Sequence, residues 1–280
     1  LAREAKRRTG LDTLCLAGGV ALNAVANARI LREAGFSRVF VQPAAGDAGG
    51  ALGAALDASA AREGKRPRAP RNAALGRDVS DDEARSVADG LGLQHEPIDD
   101  VPTRVASLVA EGKVVAFARG RHEWGPRALG QRSLLASPRD VATRDRINRA
   151  IKRREPFRPF APAILATRAS AWFDDADNDM TPYMTTVCNV VEARRPELAA
   201  VTHVDGTARV QTVTEASAPD LHAILGALEA GGHAPIVLNT SLNGPGEPIV
   251  ASASDAICFF ATHAVDALVV GNHLVRRGPQ

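Results

Sequence analysis

Between Arg119 and Arg158 stand twelve Arg or Lys residues and four acids, Glu123, Asp140, Asp145 and Glu155. That run carries +8, whereas the whole chain of 280 residues carries only +2. Its string, RGRHEWGPRALGQRSLLASPRDVATRDRINRAIKRREPFRPFAP when extended to Pro162, is broken repeatedly by Gly and Pro. Concentrated cations on a turn-rich segment suit a pocket for a small, highly charged anion such as a nucleotide or an acyl phosphate. A nucleic-acid surface is the other use of a basic patch. It is disfavoured because only Trp124, Phe157 and Phe160 lie nearby for base stacking, and the rest of the chain is nearly neutral.

A length of 280 residues suits one large domain or two modest ones, and 45% apolar with 24% charged residues is ordinary for a globular protein. No apolar run approaches the ~20 residues of a membrane helix, and no secretory signal opens the chain. Cys15, Cys188 and Cys258 are scattered and outside any CxxC, so they read as core residues of a reduced, cytoplasmic protein. The opening LAREAKRRTG has no initiator Met and reads as the end of a helix, so the chain is expected to be the tail of a larger one.

Strands are predicted at Thr13–Ala17, Arg38–Gln42, Lys113–Ala118, Ala161–Leu165, Ala208–Val213, Pro235–Leu238 and Ala267–Val270. Helices are predicted at Leu22–Ala34, after Ser80 to about Leu91, and at Val101–Glu111, Thr143–Arg154, Pro219–Ala230 and Ser254–His263. An Ala-rich helix follows the Gly-rich AAGDAGGALG, and the polar, proline-bearing Glu63–Arg77 reads as a linker. Strands and helices intermix without a strict βαβ rhythm, which predicts an α/β fold with a mixed, twisted sheet.

Several motifs could carry chemistry, and each has a plainer reading. In the Thr143–Arg154 helix, Arg144, Asn148 and Lys152 recur at helical spacing, as a solvated face or as a stripe aiming Lys152 into a pocket. In HVDGTARVQTV, strand alternation puts Arg209 and Gln211 on one face, either exposed or reading a polar ligand. Asn239, Thr240, Ser241 and Asn243 follow a strand, as Asx and Ser/Thr turns or as a phosphate or carboxamide cradle. Gly18–Gly19 lies between a strand and a helix, where a backbone can approach a nucleotide, yet neither GK[ST] nor GxGxxG is present. Asp47 is a helix cap or a metal ligand.

In this order the motifs GGVALNAVAN, GDAGGALGAAL, EWGPRALGQRSLLASPR, IKRREPFRPFAPAIL, THVDGTARVQTV and NTSLNGPGEPIV resemble the O-carbamoyltransferases of the NodU/CmcH type. The resemblance spans nearly the whole chain. It implies the tail of an ASKHA-type domain at residues 1–70 and a YrdC-like, twisted-sheet domain at residues 71–280. A YrdC-like domain of this kind joins carbamoyl phosphate to ATP, taken with Mg2+, to give carbamoyl-adenylate and pyrophosphate. The ASKHA-type domain then passes the carbamoyl group to a hydroxyl of a natural product or glycan, using a metal, commonly iron. Matching residues imply Arg127, Lys152, Arg209 and Asn239 around carbamoyl phosphate and the nucleotide phosphates, with Arg132, Ser241 and Gln211 as further choices. Asp47 matches the metal-binding aspartate, and Gly18, Gly19 and Asn23 match a nucleotide loop.

The residue types agree with that chemistry, since Arg forks suit phosphate and carbamate oxygens while Lys supplies a point charge. One departure concerns the metal. The family's other ligands are histidines spaced HxxxH, and the seven histidines here include no such pair. Asp47 alone cannot make a catalytic site, which needs about three protein ligands. The rival readings are a related carbamoyl or threonylcarbamoyl transfer, and a non-catalytic nucleotide-binding subunit that works beside a separate N-terminal chain.

Overall fold

A computed structural model describes residues 1–65 and 72–277. The chain begins with α1 (Ala2–Thr9), β1 (Thr13–Leu16), α2 (Ala24–Glu33), β2 (Arg38–Val41) and α3 (Ala48–Glu63). Next come α4 (Asp81–Gly90), β3 (Gln94–Pro97), α5 (Val101–Ala110), β4 (Val115–Ala118), β5 (Arg132–Ala136) and α6 (Val141–Arg146). β6 (Ala161–Leu165), β7 (Cys188–Asn189), β8 (Thr207–Ala208), β9 (Gln211–Val213) and α7 (Pro219–Ala230) follow. β10 (Ile236–Ser241), α8 (Ala253–Thr262), β11 (Ala267–Val270) and β12 (His273–Arg276) complete the order. None of the described helices is long and apolar enough to cross a membrane.

Eight strands form one sheet in the order β3-β12-β11-β4-β5-β10-β6-β9. β11 with β4 and β6 with β9 are parallel pairs, and the others are antiparallel. Side-chain alternation divides the core. Val115 and Phe117 of β4 join one apolar cluster with α5 and α7, while Ala116 and Ala118 join another with α4 and α8. The sheet is therefore a filled middle layer between two helix pairs, and the mixed α/β expectation holds. β1 and β2 make a separate parallel pair whose small core, with Phe36, Val39 and Val41, also takes in Met180.

Several predicted elements differ in the structure. The Ala208–Val213 strand is two strands, β8 and β9, in different sheets, because the chain turns at Arg209 and Val210. The Thr143–Arg154 helix is α6 followed by a π turn at Ile147–Ile151, which breaks the i, i+4 stripe. The Leu22–Ala34 helix begins later, after a 3-10 turn, at a cap where Asn23 accepts from the Ala26 amide. β3, β5, β7 and β12 had no sequence prediction. The expected 70/71 domain boundary, and residues 66–71 of the Glu63–Arg77 linker, lie outside the described residues.

Candidate anion-binding site

The loop between β4 and β5 carries Arg127, and a buried acid shapes it. Glu123 Oε1 accepts from the backbone amides of Leu129 (2.9 Å), Gln131 (2.7 Å) and Arg132 (3.0 Å). Three donors converging on one carboxylate oxygen fix the EWGPRALGQR turn at its neck. Gly125, at φ 124°, lies where a Cβ would come 2.8 Å from the Pro43 carbonyl, so this loop packs tightly on the segment after β2.

A second loop, after the π turn, is braced by Asn148. Its Nδ2 donates to the carbonyls of Pro156 and Arg158, both at 2.9 Å, and its Oδ1 accepts from Arg154 Nε at 2.7 Å. The Arg154 guanidinium also lies 4.8 Å from the Phe160 ring centre. Arg209 enters from the turn between β8 and β9, and Asn239 and Ser241 from the end of β10.

These pieces surround a cavity of about 450 Å³, with Arg127, Arg154, Arg158, Arg209, His203, Asn239 and Ser241 in its wall and Asn23 at the start of α2 opposite. Among the described residues no carboxylate lines it. Arg127 and Arg209 make no hydrogen bond or ion pair among the described residues, and the Nε of each is buried without a partner. Burial, followed by the Arg127 and Arg154 charges, lowers the Arg209 pKa to about 9. Burial also lowers Arg127 and His203, and burial with Arg158 lowers Arg154. Such a cluster is costly without a counter-anion, and its geometry suits one.

The structure thus gathers Arg127, Arg209, Asn239, Ser241 and Asn23 of the sequence candidates at one cavity. Others are placed differently. Lys152 lies behind the wall: its Nζ donates to the Ser241 carbonyl (2.5 Å), the Asn243 carbonyl (3.0 Å) and Asn243 Oδ1 (2.7 Å). Burial, then Arg154, lowers its pKa to about 7. It clamps the turn that presents Ser241, because the π turn rotates it off the expected stripe.

Arg132 is also displaced from its expected role. It is fully buried, and its guanidinium donates to the carbonyls of Arg77, Arg119, Gly120, Gln131 and Ala251. Its charge is absorbed by backbone. Gln211 is buried too and spends its amide on Leu129 and Asn239. Gly18 and Gly19 are exposed outside this wall, where the Gly18 amide donates to the Ala45 carbonyl at 2.7 Å. The cations that sequence reasoning passed over, Arg154 and Arg158, lie in the quoted REPFRPFAP string, whose Pro-flanked spacing was their signal.

Asp47 is exposed at the N-cap position of α3, and its side chain makes no capping bond. Among the described residues no group of three or more His, Cys, Asp or Glu could hold a metal. A single carboxylate does not fit a catalytic iron site, and the residues here do not make one.

Residues 106–277 match the family described as Carbamoyltransferase C-terminus, and residues 2–56 match Carbamoyltransferase N-terminus. Nodulation protein NolO of Bradyrhizobium diazoefficiens is 44% identical over 99% of this chain and 52% of its own length. The 3'-hydroxymethylcephem-O-carbamoyltransferase of Amycolatopsis lactamdurans is 37% identical over 94% of this chain and 49% of its own. The chain spans about half the length of these relatives. A solved structure of full-length HypF in its phosphate- and nucleotide-bound form aligns at 15% identity and a TM-score of 0.43, covering 66% of this chain and 22% of that one. That overlap is too loose to bear on the fold. The two family matches follow one another along the chain in the order of its sequence motifs, and the chain belongs to the carbamoyltransferase family.

Proposed function

We propose that this chain carries the carbamoyl-activating part of an O-carbamoyltransferase, with carbamoyl phosphate and ATP–Mg2+ as substrates. The carrying observation is the cavity, free of carboxylates among the described residues, at which Arg127 and Arg209 each bury an Nε that has no partner. In this reading water cleaves carbamoyl phosphate to carbamate and inorganic phosphate. A carbamate oxygen then attacks the α-phosphorus of ATP, the bond to the β-phosphate oxygen breaks, and pyrophosphate leaves with carbamoyl-adenylate as product. Arg127, Arg154, Arg158 and Arg209 offset the charge spreading over the phosphates, and Ser241 and Asn239 orient the small group.

The same reading takes the eight-stranded sheet as a YrdC-like unit and residues 1–70 as the end of an ASKHA-type domain. It leaves transfer to an alcohol of a natural product or glycan outside this set of residues, since Asp47 alone would not hold a metal. The test is carbamoyl-phosphate-dependent exchange of labelled pyrophosphate into ATP. The chain should catalyse it, and Arg127→Ala or Arg209→Ala should each slow it roughly 10- to 150-fold by removing charge-assisted contacts. Phosphate binding without any exchange would instead favour a non-catalytic nucleotide-binding subunit.

A further inference from the structure

We propose that Asn27 is the positioning residue for the cavity's N-terminal wall, holding the first turn of α2 where its free amides face a bound anion. The inference rests on the anion-binding reading above and extends it from the arginines to the wall opposite them.

Asn27 belongs to α2 and is 1% exposed. Its Nδ2 donates to the Ala21 carbonyl at 2.7 Å and to the Thr185 carbonyl at 2.8 Å. Both partners can only accept, so the amide has a single orientation and both of its hydrogens are committed. One bond braces the 3-10 turn that leads into α2. The other crosses to a segment 158 residues further along the chain.

That segment joins the two parts of the molecule. Met180 enters the core around β1 and β2, and Val187 packs on Ala24 and Ala28. Met184 is buried with φ 55°, a strained state for a methionine, and it lines the cavity one residue before the carbonyl that Asn27 holds. Asn23, Ala24 and Val25 line the same cavity. Asn23 takes the Ala26 amide, while the amides of Ala24 and Val25 have no carbonyl within the helix to reach.

A helix N-terminus therefore shares a cavity with Arg127 and Arg209, whose Nε atoms are buried without partners. All of these groups donate, and an anion among them gains from both walls. The contribution of a helix end falls off within one turn, so a loosened α2 forfeits it. The contacts of Val187 with two alanines are non-directional. The two bonds of Asn27 are directional, and they set where α2 begins.

The experiment is calorimetric titration of the full chain with sulfate, whose charge is constant across the neutral range, beside thermal melts. Asn27→Leu keeps the branched shape and loses both donors, and the folded variant should bind sulfate about tenfold more weakly. Asn27→Asp carries a carboxylate that only accepts, so at alkaline pH it should bind no better than Asn27→Leu. As pH falls and a carboxyl O–H replaces one donor, it should regain affinity relative to Asn27→Leu. Melting temperatures that fall while sulfate affinity stays native would show a purely structural role and overturn the proposal. An Asp variant with no recovery also overturns it, with the anion-binding reading left standing. No binding of sulfate by the native chain overturns both. Where neither variant folds, amide exchange in the native chain decides. Sulfate should slow exchange at residues 180–187 together with the first turn of α2, and unchanged exchange at residues 180–187 sinks the tie through Asn27.

Discussion

Arg132 and Arg209 are two cations withdrawn from water, and their partners give them opposite consequences. Arg132 satisfies five backbone carbonyls around β5, so it acts as a bolt between distant loops. Arg132→Met should lower stability by about 3–5 kcal/mol in urea unfolding, because those carbonyls lose their donors. Arg209 lacks such partners and is held near Arg127 and Arg154. Arg209→Met should raise the melting temperature, by roughly 2–4 °C per kcal/mol of relieved repulsion, while abolishing the further rise that phosphate gives the native chain. The sign follows from linkage: burial holds the folded pKa, about 9, well below the ordinary arginine range, so the folded state resists the proton. The penalty is complete below pH 9 and relaxes above it, so the advantage of Arg209→Met should shrink as pH rises. A lower melting point for Arg209→Met at pH 7 would show that its stem packs for stability. The sequence offered both arginines as ligand candidates, Arg209 ahead of Arg132. Their difference lies in carbonyls contributed by residues as far away as Arg77 and Ala251, which no local pattern reveals.

At the scale of elements, the informative case is the segment from α6 to β6. Ile147 and Ile151 are both fully buried, and their spacing, four apart, was legible in the sequence as one apolar face. The π turn was not, because it comes from the demands of the loop that follows. Asn148 must reach the Pro156 and Arg158 carbonyls and Arg154 together, and a regular helix ending at Arg154 would not leave that loop folded back. Asn148→Ala should therefore loosen Arg154 and Arg158, cutting phosphate affinity about tenfold through a residue that does not line the cavity. Titration with inorganic phosphate checks this, and unchanged affinity would mean the prolines alone hold the loop. β5 shows the complementary failure. RSLLA opens with a charged residue, which reads as surface, yet all five residues are buried because Arg132 finds its partners only after the chain closes.

Across the whole molecule the cavity joins parts of unequal solidity. Its arginines hang from loops of a sheet with apolar clusters on both faces, whereas the start of α2 packs Ala24 and Ala28 against Val187 in a cluster of only three residues. The mixed sheet was legible from its apolar strands, and so were the order of the motifs and the clustering of cations. The way the N-terminal segment closes the pocket was not, since it depends on contacts such as Gly125 against Pro43. α3 is the extreme case: a 16-residue helix with no buried residue. Its backbone hydrogen bonds are shielded by little tertiary contact, so its amides should exchange with solvent about a thousandfold or more faster than those of β4, β5 and β10. Added phosphate should then slow exchange at the first turn of α2, which borders the cavity, while leaving the distal half of α3 unchanged. Amide exchange followed by mass spectrometry on peptides from the two helices separates these effects. Equal protection of α3 and the sheet would mean that the first 63 residues open only with the rest of the chain, and the pocket would then be a rigid cleft whose N-terminal wall does not yield to let an anion in.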